Sequence, residues 1–169
     1  MSSAPVPARG TRTMKILLPA VAVTAAFVAP TIAAARPVTV ETTMKAYGGS
    51  GAYAAIWVSD AAGKYKGTLW MAGDRAKYWR HLADWQRASG GRAAEVDGIT
   101  GASIGSGRTL KITVDLADAL IDAGYVVHVD TAVEDGRDVS ADALFPLAAA
   151  QSGKPVTGKG YVKTLKVTF

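Results

Sequence analysis

The stretch from Tyr53 to Met71 reads YAAIWVSDAAGKYKGTLWM, and it decides the fold class of this 169-residue chain. Tyr53–Val58 and Tyr65–Met71 are rich in the aromatic and β-branched residues that favour strands. Between them, Asp60–Lys64 has the Asp, Gly and small residues of a four- or five-residue hairpin loop. The sequence therefore predicts two antiparallel strands joined by a short turn.

Four more segments alternate between apolar and polar residues with the period of two that a half-buried strand requires. They are Val38–Lys45, Thr109–Leu116, Tyr125–Val133 and Tyr161–Phe169. With one helix expected among six strands, the strands do not alternate with helices as in a parallel α/β protein. The pattern predicts an all-β protein, an antiparallel Ig-like β-sandwich with one short helix.

The helix is expected at Lys77–Ala88, where the apolar period changes to that of a helix. Three residues at i, i+4 and i+7 line one face: Tyr78, Leu82 and Trp85. Asp74 is a plausible N-cap and Gly90 begins the C-terminal stop. We expect loops or turns at Tyr47–Gly51, Gly91–Gly107 and Asp118–Gly124, and irregular structure at residues 135–160.

Residues 1–35 have the composition of a secretory signal peptide, and residues 36–169 form the domain. The basic residues that precede the apolar run are Arg9, Arg12 and Lys15. Ala33–Ala35 then provide a cleavage site of the A-x-A type. An uncleaved membrane anchor is the alternative, because Ile16–Ala35 is just long enough to span a bilayer. Prolines and alanines make this run weakly apolar, which favours cleavage, and a start at Met14 leaves the signal intact. Both a cleaved signal peptide and an uncleaved anchor would direct the domain out of the cytoplasm.

Charge and cysteine content restrict the possible functions. Three of the 19 Lys and Arg residues and none of the 14 acidic residues lie in the leader. The domain therefore has 16 basic and 14 acidic residues, a net charge of +2 without a basic cluster, which argues against nucleic-acid binding. The chain has no cysteine. Disulfides, iron–sulfur clusters, thiolate zinc sites and covalent C-x-x-C-H haem are excluded.

The segment Asp97–Ser103 reads DGITGAS and points to a covalent cofactor. It fits Asp-x-x-Ser/Thr-Gly-Ala-Ser/Thr, the acceptor pattern on which bacterial flavin transferases attach FMN through a phosphoester. Because Asp and Gly are common turn residues, an ordinary turn is the alternative interpretation. A phosphoester to Ser103 would hold a redox cofactor without using sulfur.

The order of motifs resembles a predicted periplasmic domain-of-unknown-function family, DUF2271. The pieces that carry the resemblance are Tyr53–Asp60, Gly63-Lys64, Lys77-Tyr78-Trp79 with Leu82 and Trp85, Asp97–Ser103, Thr109–Leu116, Tyr125–Val133 and Gly160–Phe169. The resemblance covers nearly all of residues 36–169. It implies an exported Ig-like β domain that is associated with PepSY-type membrane proteins and with ApbE-type flavin transferases.

The acceptor motif is also similar to that of the flavin-carrying subunits of sodium-pumping quinone reductases and Rnf complexes. This similarity implies that Ser103 receives FMN, although the commoner pattern ends in Thr. The expected recognition residues before it are Asp97, Gly98, Thr100, Gly101 and Ala102. The glycines would let the backbone approach a foreign active site closely. The transferase would position FAD with Mg²⁺ and activate the hydroxyl.

Other candidate residues have ordinary structural explanations. Aromatic residues that could stack on the flavin ring are better explained as core, and they are Tyr78, Trp79 and Trp85. Arg108 could contact the phosphate but is better explained as a solvated loop residue. His81 and His128 lack the spacing of a metal or haem site and are expected to be structural or surface residues.

Two functions follow from the sequence. The first is an exported flavoprotein that carries covalent FMN and transfers electrons between a membrane redox partner, PepSY-type or other, and an extracytoplasmic acceptor. The alternative is a non-redox Ig-like periplasmic module for binding or sensing, whose Gly-rich loop would be a contact loop. In both cases the protein is periplasmic or extracytoplasmic. The first function makes it an electron carrier rather than a self-sufficient enzyme.

Overall fold

The computed structural model describes residues 34–169. The predicted signal peptide, except for its last two residues, lies outside this range. The strands are β1 (Ala35–Met44), β2 (Tyr53–Ser59), β3 (Tyr65–Ala72), β4 (Thr100–Gly101), β5 (Thr109–Ala117), β6 (Val126–Ala132), β7 (Asp138–Pro146), β8 (Val156–Thr157) and β9 (Val162–Thr168). One α-helix, α1 (Ala83–Ser89), accompanies short 3-10 helices at Ala76–His81, Ala93–Val96, Asp118–Leu120 and Ala149–Gln151.

The strands form two sheets, with the orders β5-β1-β9-β8 and β4-β3-β2-β6-β7. Every pairing is antiparallel except that of β3 with β4, which is parallel over two residues. The predicted β-sandwich is confirmed. Across residues 34–169, no helix is long and apolar enough to cross a membrane.

The main core lies between the two sheets. On β1 the buried residues alternate as the sequence predicts, and they are Val38, Val40, Thr42 and Met44. The three apolar residues among them pack in one cluster with Ala54, Ile56 and Val58 of β2. The predicted hairpin is also confirmed, because β2 and β3 pair antiparallel around a tight turn in which Gly63 N–H donates to the Asp60 carbonyl at 2.8 Å.

A second core covers the outer face of the five-stranded sheet, the face that points away from the four-stranded sheet. It is built from alternate residues of β2 and from the helical segment: Tyr53, Ala55, Trp57, Met71, Trp79, Leu82, Trp85, Val96 and Ala132. Strand β2 is therefore buried on both faces. The expected core role of the helical aromatic residues is confirmed for Trp85, which is fully buried, and for Trp79, which is 9% exposed, whereas Tyr78 is only partly buried.

The helical segment differs in detail from the prediction. Instead of one helix over Lys77–Ala88, a 3-10 helix ends at His81, Leu82 breaks the geometry, and α1 follows. Neither helix has a side-chain cap, so the expected N-cap role of Asp74 is wrong. Leu82 is fully buried, which indicates that packing fixes this junction. The expected stop at Gly90 is confirmed by its φ of +74°.

Two segments expected to be irregular contain strands. Residues 135–160 include β7, which pairs with β6, and β8, which pairs with β9. The pattern of β7 is hidden because Ala141 has a φ of +45° and the pairing register shifts beside it. The loop Gly91–Gly107 contains β4, whose two residues pair with β3. Strands β6 and β7, and β8 and β9, are neighbours in the chain, whereas β4 pairs with a segment distant in sequence, Thr100 with Met71, so local sequence does not reveal the β4 pairing.

Candidate functional site

The acceptor segment is attached to the edge of the five-stranded sheet rather than being a free loop. Ile99 and Gly101 carbonyls accept bonds from Met71 N–H at 2.9 Å and Gly73 N–H at 2.7 Å. Thr100 Oγ1 donates to the Val96 carbonyl at 2.7 Å. Thr100 therefore has a local structural role, and its position in the motif is fixed by backbone pairing.

The chain leaves the edge again after Gly101. Ile104 then exchanges two backbone bonds with Ala52, each of 2.8 Å, so the segment is held at both ends. Ala102 and Ser103 lie between these anchors and are exposed, as are Asp97 and Gly98 at the other end of the motif. The motif thus presents its first and last residues to solvent and its middle to the sheet.

The Ser103 hydroxyl has a defined seat. A Cβ added to Gly51 would lie 2.5 Å from Ser103 Oγ and 3.1 Å from Ser103 Cβ. The absence of a side chain at Gly51 is therefore what gives this hydroxyl its space. Gly51 belongs to the predicted loop Tyr47–Gly51, and the sequence does not predict this contact because it joins two segments that are distant in sequence.

Gly101, in the middle of the motif, likewise has no room for a side chain. The close contacts at Gly51 and Gly101 are called the two glycine cradles below. A Cβ on Gly101 would lie 2.7 Å from the ring of Trp70. Trp70 Nε1 is buried without a hydrogen-bond partner among residues 34–169. Trp70 packs against the core between the sheets, so this unpaired donor lies buried beneath the motif backbone and not on its exposed side. Exposed Ser103, with its hydroxyl against Gly51, fits a phosphoester-linked group.

The loop that contains Gly51 is fixed to the loop after Ser103. Tyr47 Oη accepts from Ala52 N–H at 3.0 Å and donates to the Ile104 carbonyl at 3.1 Å. Ser106 Oγ accepts from the N–H groups of Tyr47 and Gly48 at 2.9 and 3.1 Å. Burial raises the pKa of Tyr47, so its phenol stays protonated. The surroundings of Ser103 are therefore held by side-chain bonds between two loops.

One concavity borders the acceptor segment, and a second lies beside the helical segment. The first, called the groove below, has a volume of about 500 Å³ and is lined by Asp74, Trp79, Ala93, Ala94, Val96, Asp97, Gly98 and Thr100. The second, called the aromatic pocket, has about 240 Å³ and is lined by Tyr53, Tyr78, His81, Ala132, Val133, Glu134, Asp135, Gly136 and Asp138. The groove includes three residues of the motif. The aromatic pocket contains none of them and was not predicted.

Two residues of the aromatic pocket, Tyr78 and His81, are also candidate residues in the sequence. Tyr78 and His81 are three residues apart in the helical segment, but their opposite wall comes from the ends of β2 and β6. Tyr78 Oη donates to Glu134 Oε1 at 2.5 Å, and His81 Nδ1 lies 3.0 Å from Asp138 Oδ2. Sequence reasoning considered Tyr78 for flavin stacking, and the structure places it in this wall. Trp85, fully buried, has no surface available for stacking.

His128 lies away from these sites, in β6. Its ring stacks on Trp57, with the centroids 3.9 Å apart, and Nε2 lies 2.8 Å from Ser59 Oγ. These are the contacts of a structural residue. Among residues 34–169, no three His, Asp or Glu side chains come together as a metal site would require. Arg108 is exposed, as expected.

The His128→Phe variant should reduce the acid sensitivity of the protein. Burial lowers the pKa of His128 below 6.5, and the Asp84 carboxylate offsets part of this. As the pH falls below 6.5 the unfolded chain is protonated first, so stability declines until the pH passes the lower pKa of the folded state. Phe keeps the stack on Trp57 and removes the proton. Urea unfolding over a pH series should show a smaller decline for the variant, and equal slopes would contradict this account.

Asp130 and Asp142 are buried carboxylates that the sequence does not predict. Asp130 is fully buried and accepts bonds from Trp85 N–H at 2.6 Å and Ala141 N–H at 2.8 Å. Burial raises its pKa. Asp142 is 2% exposed and accepts four hydrogen bonds. Both serve the fold, since neither lines the groove or the aromatic pocket.

Comparison with known families gives the relationship of the chain. A family model described as "Predicted periplasmic protein (DUF2271)" matches residues 35–164. The chain belongs to this family. The DUF2271 match extends from β1 into β9 and includes the whole acceptor segment. The family resemblance expected from the sequence is confirmed, and the family description agrees with the periplasmic location expected for the domain. No curated protein and no solved structure matches the chain.

Proposed function

We propose that the protein is an exported flavoprotein that carries FMN on Ser103 through a phosphoester. In this role it transfers electrons between a membrane partner and an acceptor outside the cytoplasm. The observation that carries the proposal is the exposed hydroxyl of Ser103, seated on Gly51 at the end of an acceptor-type segment. Membership of a family described as periplasmic supports the proposed location.

The attachment step is a transfer of the FMN half of FAD to the protein. Ser103 Oγ loses its proton and forms a bond to phosphorus, while the pyrophosphate bond of FAD breaks and AMP leaves. A serine hydroxyl is a weak nucleophile without a neighbouring base. The proposal therefore requires an ApbE-type transferase, which supplies the activating group and a Mg²⁺ ion that stabilises the phosphoryl charge. The chain itself presents the hydroxyl.

The groove is the surface on which we place the transferase contact. Asp97, Gly98 and Thr100 line it, so the motif residues that precede the acceptor face the approaching enzyme. A Cβ on Gly98 would meet nothing within 4 Å, but its φ of +73° favours glycine. Gly98 thus sets the backbone direction, and the Asp97 carboxylate is exposed for recognition.

Bound FMN supplies reversible electron transfer at its ring, chemistry that no side chain of this protein provides. The residues of the chain hold and orient it. The two glycine cradles bring the Ser103 hydroxyl and the Gly101 backbone close to their neighbours without side-chain interference. The bonded loops around Tyr47 keep the attachment point fixed.

A second candidate function is the non-redox binding module. The aromatic pocket favours it, because a concavity with aromatic walls and a polar rim is typical of small-molecule sites. This function requires no cofactor on Ser103. The two candidates therefore differ in one measurable property, the mass of the exported protein.

The deciding experiment is intact-mass measurement of the protein produced with and without an ApbE-type transferase. We expect a gain of one FMN phosphoester only when the transferase is present, together with a yellow colour. Ser103→Ala should abolish the gain, because it removes the attacking oxygen and leaves the backbone unchanged. Ser140→Ala is the matched control: it removes a serine hydroxyl from β7, away from the motif, the groove and the aromatic pocket, and should still be loaded.

Two results would overturn the proposal. The first is a colourless protein without added mass under conditions in which the transferase loads a known acceptor. The second is a mass gain that survives Ser103→Ala. A colourless protein that captures a small molecule in the aromatic pocket would favour the binding module instead.

A further inference from the structure

The aromatic pocket has the composition of a site for a flat, partly polar ring. The Tyr53 and Tyr78 ring centroids are 5.0 Å apart with an interplanar angle of 51°, and His81 lies 6.5 Å beyond Tyr78. Ala132 and Val133 complete an apolar floor. Glu134 and Asp138 on the rim are already bonded to Tyr78 and His81. The walls are therefore held in place without a ligand.

Tyr53 is the group in this pocket that is left for a ligand. Its side chain is only 9% exposed, and its hydroxyl has no protein partner within the described part of the chain but reaches solvent. A ligand in the pocket can take the place of water at this hydroxyl. Tyr78, in contrast, already uses its hydroxyl on Glu134. A planar ligand with a hydrogen-bonding edge would satisfy Tyr53 while its faces contact the aromatic walls.

The pocket and Ser103 open on the same face of the five-stranded sheet. Ala52 and Ile104 belong to the core between the sheets, whereas Tyr53 belongs to the outer core. Side chains alternate along a strand. Tyr53, next to Ala52, and Ser103, next to Ile104, therefore point to the outer face. The close approach of Ser103 Oγ to Gly51 agrees with this placement.

Gly73 contacts both the wall of the aromatic pocket and the acceptor segment that leads to Ser103. Gly73 has a φ of +98°, and a Cβ there would collide with the ring of Tyr53. The Gly73 N–H donates to the Gly101 carbonyl in the acceptor segment at 2.7 Å. The wall of the pocket and the strand that leads to Ser103 therefore contact the same residue. A group tethered at Ser103 has the aromatic pocket as a neighbour.

We propose that the aromatic pocket receives the isoalloxazine ring of the flavin carried on Ser103, with Tyr78 as a stacking wall and the Tyr53 hydroxyl as a hydrogen-bond donor or acceptor. This inference rests on the proposed function and adds the site of the ring. The groove is the less suitable seat, since alanine and glycine form much of its lining and it contains the motif that the transferase must reach.

The test uses protein loaded on Ser103, verified by mass before any other measurement. In the wild type we expect flavin fluorescence to be quenched and poorly accessible to iodide. Tyr78→Ala removes one stacking wall and should lower the ratio of seated to unseated ring about two- to tenfold, giving brighter and more accessible fluorescence. Tyr53→Phe keeps the wall and removes the free hydroxyl, so it should shift the flavin absorption bands.

Tyr125→Phe is the matched control. It makes the same chemical change at the opposite end of β6 and should leave the flavin spectrum unchanged. The pocket assignment is overturned if loaded wild type is as bright and accessible as FMN on a peptide spanning residues 97–103. Equal spectra and quenching in wild type, Tyr78→Ala and Tyr53→Phe would also overturn it. If the proposed function itself fails, the mass measurement shows no FMN on Ser103, which distinguishes that result from failure of the pocket assignment.

Discussion

Replacing Asp142 with alanine should lower the free energy of unfolding by about 4 kcal/mol, a large part of the stability of a domain this size. Asp142 Oδ2 accepts bonds from Thr131 Oγ1, Tyr161 N–H and Val162 N–H at 2.7, 2.8 and 3.0 Å. Oδ1 accepts from Gly160 N–H at 2.6 Å. Alanine leaves these donors buried without an acceptor.

The cost is high because the bonds join different layers of the fold. Asp142 lies in β7 of the five-stranded sheet, whereas residues 160–162 lead into β9 of the other sheet. Lys45 Nζ completes the junction by donating to the Gly158 and Gly160 carbonyls at 3.2 and 2.7 Å. The carboxylate therefore fixes one end of the sandwich, and its loss affects both sheets.

Urea unfolding followed by tryptophan fluorescence measures this prediction. The midpoint should fall while the slope with urea stays near that of the wild type. Asp142→Asn is a milder variant, which keeps one acceptor but turns an N–H₂ group toward backbone donors. Asp115→Ala is the control: this exposed aspartate of β5 should change stability by less than about 0.5 kcal/mol. A similar loss in both alanine variants would contradict the special role of Asp142.

Asp142 also shows why the sequence predicts some strands and not others. Strands β1, β5, β6 and β9 follow from alternation, and the hairpin strands β2 and β3 follow from their aromatic and β-branched residues, since β2 is buried on both faces. In β7 an inward position is a carboxylate and the preceding Ala141 has positive φ, so the apolar pattern is interrupted. The acceptors and donors that make this arrangement stable are more than ten residues away. Local patterning contains no trace of them.

The candidate site also has residues that local sequence predicts and residues that it does not. The acceptor motif is a continuous segment, so its residues could be named from sequence alone. Gly51 and Trp70 come from other segments, and they reach the motif only through the bridge of Ala52 with Ile104 and the edge pairing of β4 with β3. The sequence predicts the attachment point, whereas the surroundings that decide its accessibility depend on tertiary structure.

Gly51→Ala should slow FMN attachment to Ser103 about 100-fold at a constant concentration of transferase. The added methyl would lie 2.5 Å from Ser103 Oγ and 3.1 Å from its Cβ, so the hydroxyl must turn or the loop must move. A displacement of about 1 Å at a reacting atom is enough for a loss of this size. Gly51 does not have positive φ, so alanine causes no backbone strain there.

The measurement is a time course of intact mass, with thermal unfolding of each unloaded variant beside it. Gly67→Ala is the matched control, because a Cβ at Gly67 meets nothing within 4 Å and its φ is also not positive. It makes the same chemical change in the same sheet and should load at the wild-type rate. Slow loading of Gly51→Ala with an unchanged melting temperature would show that the seat of the hydroxyl, rather than the stability of the fold, limits transfer. Equal rates for the two variants would show that the transferase repositions residues 102–104 itself and that the cradle at Gly51 has no part in the reaction.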